Sequence, residues 1–303
     1  MDMKKYPFLL SNKKSLTYFI WGVVSFKNNY SWTSKLRKTE SELKEIIEKA
    51  VNENKIITLR TYVLSDYGEL VLKLICSTIL EKTNRIDLME ICYSSAKELV
   101  INATKANVKR ALFKSNGLDI EKPEDHEKGL SMFKENLRED KILQFKPIFI
   151  QHDLPVMATF YFSPDVLNIK VKNNFPLLPS EEARIRDKFH KATSFSSLID
   201  FFMEHGDSTE GAGMGLTMVG ILLDQSGINK HCFSLYSSEK YKETAAKIEI
   251  PLSPNYISKR DMFDRELKEK NISPEELRKS FTYNYKTFSR KNEEPKEHTM
   301  DDE

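Results

Sequence analysis

Glu98, Asn102 and Lys105 stand at i, i+4 and i+7, which puts an acid, an amide and an amine on one stripe of an α-helix. An amide oxygen is a hard donor suited to Mg²⁺, which also binds phosphate oxygens. A lysine one turn on can meet phosphate as a point charge. A carboxylate on the same stripe can take a proton from a water or hydroxyl that attacks a phosphoryl group. Read alone, the stripe is more simply the wet side of a half-buried helix.

About a hundred residues later comes Gly211-Ala212-Gly213-Met214-Gly215-Leu216, followed by Val219, Leu222 and Leu223 at helical spacing. Glycines at alternate positions let backbone approach an anion closely, and a helix N-terminus offers free N–H groups and a favourable dipole. No Gly-Lys-Ser/Thr follows, so this is not a Walker loop. The preceding Phe201–Glu210 is no buried strand entering a tight turn, which disfavours a Rossmann site.

In that order the two segments resemble the halves of an ATP site in the histidine-kinase-like (GHKL, Bergerat-fold) ATPase superfamily. The resemblance spans about residues 56–252 and is closest in pattern to anti-sigma-factor serine kinases and sensor-kinase ATPase domains. It implies an α+β chain, a two-layer α/β sandwich of the Bergerat type. Glu98 matches the acid of the N box, Asn102 its Mg²⁺ ligand and Lys105 its basic position. Gly211, Gly213, Gly215 and Leu216 match the second glycine box. Thr244, seven residues before Pro251, matches the Thr that opens the last strand and often contacts nucleotide. The implied cofactors are ATP and Mg²⁺.

The first glycine box departs from the family. The strand Leu167–Lys172 leads into Asn173-Asn174-Phe175-Pro176-Leu177 where the family has Asp-x-Gly-x-Gly. Asn173 takes the place of the Asp that accepts from the adenine amine. Its uncharged oxygen is a weaker acceptor, by on the order of 1 kcal/mol. Phe175 and Leu177 add bulk where the family keeps backbone open.

The elements that must position these residues are partly legible. Asp87 with Glu90 reads as a capping box opening the N-box helix, and Gly117 as its stop. Glu42–Asn54 is amphipathic at helical spacing. Ile56–Leu64 reads as a strand, and Asp66 opens a helix through Glu81. A charged helix is expected over Pro123–Glu139, then a hairpin from about Phe145 to Lys172. Residues 178–210, with Arg184, Arg186, Lys188, His190 and Lys191, fall where the family keeps its nucleotide lid. Ser273-Pro274-Glu275-Glu276 is a capping box with Pro at the first helical position, and the chain from about Ser289 is polar enough to be disordered. The division expected is an N-terminal extension (1–55), the ATPase domain (56–254, with an insertion at about 117–146) and a C-terminal helical appendage with its tail (255–303).

Composition bounds the rest. The 303 residues, 40% hydrophobic, suffice for one sizeable core. A net charge of +2 gives no whole-chain case for nucleic acid. Leu16–Phe26 is too short to span a bilayer, and it lacks a small-residue cleavage site. Cys76, Cys92 and Cys232 form no CxxC pair, which fits buried thiols in a reducing cytoplasm. The histidines are scattered, none preceding the N box, so a self-contained autophosphorylating histidine kinase is disfavoured.

The expected function is a cytoplasmic, nucleotide-responsive regulator of a protein partner, with phosphoryl transfer to that partner as the expected chemistry if it is catalytic. A homodimer is compatible with it. The alternative is a pseudo-enzyme scaffold of the same fold that binds its partner without ATP. An ATP-driven clamp like gyrase B or the heat-shock chaperone ATPases stands third, because little chain follows residue 252.

Overall fold

The computed structural model describes residues 18–21, 38–192 and 214–281. The chain is α+β: a six-stranded sheet in the order β1-β2-β3-β4-β6-β5, with helices packed on one face. The strands are β1 (Tyr18–Trp21), β2 (Ile57–Thr61), β3 (Val156–Phe162), β4 (Val166–Asn173), β5 (Phe233–Ser238) and β6 (Glu243–Pro251). Strand β1 runs parallel to β2, and every other neighbouring pair is antiparallel.

Alternation decides which face is dry. The register aligns Ile57, Phe160, Ile169, Ile248 and Phe233 in one row across five strands, all buried. One residue along, the row Thr58, Thr159, Lys170, Lys247 and Ser234 is polar and lies on the opposite face.

Over the apolar face lie α1 (Glu40–Asn52), α2 (Asp66–Lys82), α3 (Met89–Ser115) and α8 (Met214–Gln225). Thr39 and Glu42 close a capping box on α1, and Ser65 caps α2 by accepting from the Gly68 amide. Helix α3 starts differently from expectation. Asp87 lies in a 3₁₀ turn, Ile86–Leu88, and its carboxylate receives Arg85 at 2.9 Å instead of capping the helix. The Arg85 fork outcompetes the backbone amide because a charge-assisted bidentate pair is the stronger bond. Gly117, at φ +63°, ends α3 as expected, in a left-handed turn that glycine adopts without a Cβ penalty.

Between α3 and the hairpin the insertion forms α4 (Pro123–Glu135), α5 (Glu139–Gln144) and α6 (Lys146–Gln151). The hairpin therefore begins at Val156, not near Phe145. Phe145 and Phe149, one helical turn apart, stack at 6.0 Å within a second small core with Val108, Leu112, Ile142 and Leu154. Helix α7 (Pro179–Ala192) follows β4. After β6 come α9 (Lys259–Lys270) and α10 (Pro274–Ser280), the latter with the expected Ser273–Glu276 capping box. Among the described residues no helix is long and apolar enough to cross a membrane. Most of Leu16–Phe26 and the tail after residue 281 lie outside the described residues.

Candidate functional site

The long helix α3 carries the acid–amide–amine stripe half-buried. The Asn102 amide nitrogen donates to Glu98 Oε1 at 2.9 Å, one turn back along the helix. That bond fixes the amide orientation and leaves Asn102 Oδ1 without a partner among the described residues. Burial raises the Glu98 carboxyl above its ordinary range, opposed by the nearby Lys105 charge and the Asn102 bond. Lys105 itself pairs with no acid among the described residues.

Gly215, in the first turn of α8, rests directly on this pair. A Cβ there would lie 1.6 Å from Glu98 Oε1 and 2.6 Å from the Asn102 nitrogen, so any side chain at 215 must displace the carboxylate. The fold thus brings together residues that the sequence separates by more than a hundred positions. Leu216, the next residue, packs half-buried against the main core. Gly211 and Gly213 lie outside the described residues.

Asn173 and Thr244 face each other across β4 and β6 in direct register. Neither side chain is idle. The Asn173 amide donates to Ala103 O at 2.9 Å and to Asn107 Oδ1 at 2.7 Å, while Asn107 donates on to Leu154 O at 2.6 Å. This chain of donors permits one orientation of both amides. Asn173 Oδ1 has no partner among the described residues. Thr244 donates to the Phe175 carbonyl at 2.8 Å, holding the turn after β4.

Phe175 lies under the Arg110 guanidinium with 4.7 Å between them. Arg110 grips Glu181 of α7 with both arms, at 3.0 and 2.7 Å, and also reaches Pro176 O. Lys109 adds a third contact to the same carboxylate at 2.7 Å. Burial alone would push Glu181 up, yet Arg110, the Leu178 amide and Lys109 together hold it at about 2. Lys109 is lowered, because burial and the neighbouring Arg110 and Arg184 outweigh its share of one carboxylate. At its other end α7 presents Phe189 to Phe233, ring centres 4.8 Å apart. Helix α7 is therefore tied down at both ends.

Sequence reasoning missed Asn107, Lys109, Arg110 and Glu181. Asn107 carried a signal, sitting one turn after Ala103 on the face that meets β4. The adjacent basic pair on α3 gave none, because nothing in the sequence says that α7 folds back over it. Among the described residues no three of His, Cys, Asp and Glu converge as a metal site would require.

An uncharacterized protein of Treponema pallidum (strain Nichols) is 30% identical to this chain over 207 residues, covering 68% of this chain and 40% of that protein. The chain thus spans about two fifths of the length of the relative it matches. No family model matches the chain, and no solved structure matches it.

Proposed function

We propose that this chain is a nucleotide-responsive regulatory protein on a histidine-kinase-like ATPase domain of the Bergerat type, taking Mg-ATP at Glu98, Asn102, Lys105 and the start of α8. The observation that carries the reading is Gly215 seated on the Glu98–Asn102 pair, with space for no side chain between them.

The residues suit the cofactors. The unpaired Asn102 Oδ1 is a hard oxygen that fits Mg²⁺, the N-terminus of α8 suits phosphate, and Lys105, close enough to Glu98 to oppose its raised pKa, is a cation on the same stripe. Bound Mg-ATP supplies the transferable phosphoryl group. Glu98, raised by burial, is placed to accept the proton of an attacking hydroxyl on a partner protein. By the resemblance, Asn173 and Thr244 would be the residues that meet adenine. The three buried free thiols fit a reducing cytoplasm.

A second reading, a scaffold that binds its partner without ATP, is favoured by one specific arrangement. The Asn173 amide is spent on α3, and Phe175 with Arg110 fills ground the family leaves open.

Calorimetry with Mg-ATP and Mg-ADP decides between them. Saturable binding is expected for the wild type, weakened at least about tenfold, roughly 1.4 kcal/mol, by Asn102→Asp and by Gly215→Ala. Both variants should keep wild-type far-UV dichroism, since the first exchanges isosteric side chains and the second moves a carboxylate tip. No binding at millimolar nucleotide would leave the scaffold as the function.

A further inference from the structure

Alternation along the strands gives the sheet a second face, turned away from α1, α2, α3 and α8. Thr58 of β2, Val166 and Asn168 of β4 and Glu249 of β6 lie on it. On a face open to water these side chains would be wet, yet each is at most 5% exposed.

Asn168 is the sharpest case. It stands in register between Tyr161 of β3 and Glu249 of β6 and is fully buried. Neither its amide nitrogen nor its amide oxygen has a hydrogen-bond partner among the described residues. A dry carboxamide with both ends unpaired is rare, because each end has given up water without return. The group asks for one acceptor and one donor in its own plane, which is what a passing stretch of extended backbone offers.

The described chain leads to this place. After β6 the Tyr256 hydroxyl donates to Glu249, the register neighbour of Asn168. Helix α9 packs by the turn Lys230–Cys232, where burial, Glu249 and Asp261 together push the Cys232 thiol up to about 12. The last described residue is Phe281, whose ring meets Phe263 of α9 edge to face at 5.1 Å. The next seven residues read Thr282-Tyr283-Asn284-Tyr285-Lys286-Thr287-Phe288. Tyrosines at alternate positions put two flat rings on one side of an extended chain. At about 3.3 Å per residue the stretch reaches roughly 20 Å, and the strand spacings from β6 across β4 and β3 to β2, about 4.8 Å each, need roughly 14 Å.

We infer that the second face of the sheet is the seat of this chain's own segment 282–288, which crosses β6, β4, β3 and β2 and completes the Asn168 amide with its backbone. Tyr283 and Tyr285 then lie over Val166 and Thr58. The seat is on the opposite side of the sheet from Glu98 and Asn102, so it stands whether or not nucleotide binds.

Photo-cross-linking in the full chain tests this. A benzophenone side chain introduced in place of Tyr285 should join within one molecule to peptides from 156–173, and the same group in place of Trp32 should not. Tyr283→Ser with Tyr285→Ser, again in the full chain, should lower Tm by several degrees. Capture of 156–173 from position 32 instead would give the face to the N-terminal segment, and capture only between two molecules would give it to a second copy. Either result overturns the proposal, as does no capture of 156–173 from position 285 or an unchanged Tm.

Discussion

Glu98 holds a carboxyl that the fold has half removed from water, and Lys105 with one amide bond offsets only part of that loss. A carboxyl with a raised folded-state pKa binds its proton more tightly folded than unfolded. Stability must then fall as pH rises from the ordinary carboxylate range through the raised value, and stay lowered above it. Glu98→Gln removes the charge and keeps the shape. The variant should match the wild type near pH 4 and become the more stable of the two toward pH 7, where the wild type carries a charge that burial disfavours. Urea midpoints at several pH values would check this, and a Glu98→Gln curve parallel to wild type would show the burial to be unimportant. A residue that costs stability at neutral pH is of the kind found at functional sites. The same residue shows how far sequence reaches. Spacing was enough to put Glu98, Asn102 and Lys105 on one stripe, because helical periodicity is local. That Gly215 would lie against that stripe was implied only by the family resemblance, since no local rule reports which helix packs on which.

At the scale of elements, α3 is the member against which the other parts of the site are set. Its Ala103 and Asn107 hold the end of β4, its Lys109 and Arg110 hold α7, and its middle receives α8. The α3–α7 contact is buried, with side-chain exposures of 5% for Lys109, 10% for Arg110 and 14% for Glu181. Removing the acid leaves two cations facing no counter-charge in a poorly hydrated place. Glu181→Gln should therefore destabilise the chain by about 3 kcal/mol at neutral pH. The pH dependence has the opposite sign to that of Glu98. Glu181 is lowered to about 2, so its contribution is present above 4.5 and is lost as pH falls from there toward 2. Denaturation of wild type and variant should converge near pH 2, and hydrogen exchange in 179–192 should quicken in the variant at pH 7. Unchanged exchange would mean that α7 is held by Phe189 and α8 alone. This clamp was invisible in the sequence, where Arg184, Arg186 and their neighbours read first as a solvated helix face and otherwise as a basic lid that favours phosphate. The decisive charges were an acid on that helix and two bases on another, and only folding pairs them. The capping expectation at Asp87 failed for a related reason, because Arg85 two residues away offered a stronger partner than a backbone amide.

For the whole molecule, a part that sequence reading sets in an N-terminal extension is built into the main core. Expectation placed residues 1–55 in an extension, because a short amphipathic helix before a strand looks the same docked or free. In the fold Leu43, Ile47, Ala50 and Val51 of α1 are at most 1% exposed and belong to the main core. The end of α1 is also tied to α2, whose Lys82 ammonium donates to Val51 O at 2.6 Å and to Asn54 Oδ1 at 3.0 Å. Strand β1, by contrast, adds four residues to the sheet edge beside β2. These two N-terminal pieces should behave differently when removed. A chain beginning at residue 38 keeps α1 and, of the described residues, loses only the edge pairing of β1. A chain beginning at residue 56 exposes the surface that three large aliphatic side chains covered, each worth about 1.5–3 kcal/mol when fully buried. The total, on the order of 5 kcal/mol or more, rivals the whole net stability of an ordinary domain. The shorter chain should therefore be unfolded or aggregated at 37 °C, while the chain beginning at 38 melts cooperatively near the full-length Tm. Thermal melts by circular dichroism would separate the two. Were the chain from 56 to melt within a few degrees of full length, α1 would be a peripheral attachment, and the residues that position the Glu98 site would all lie after it.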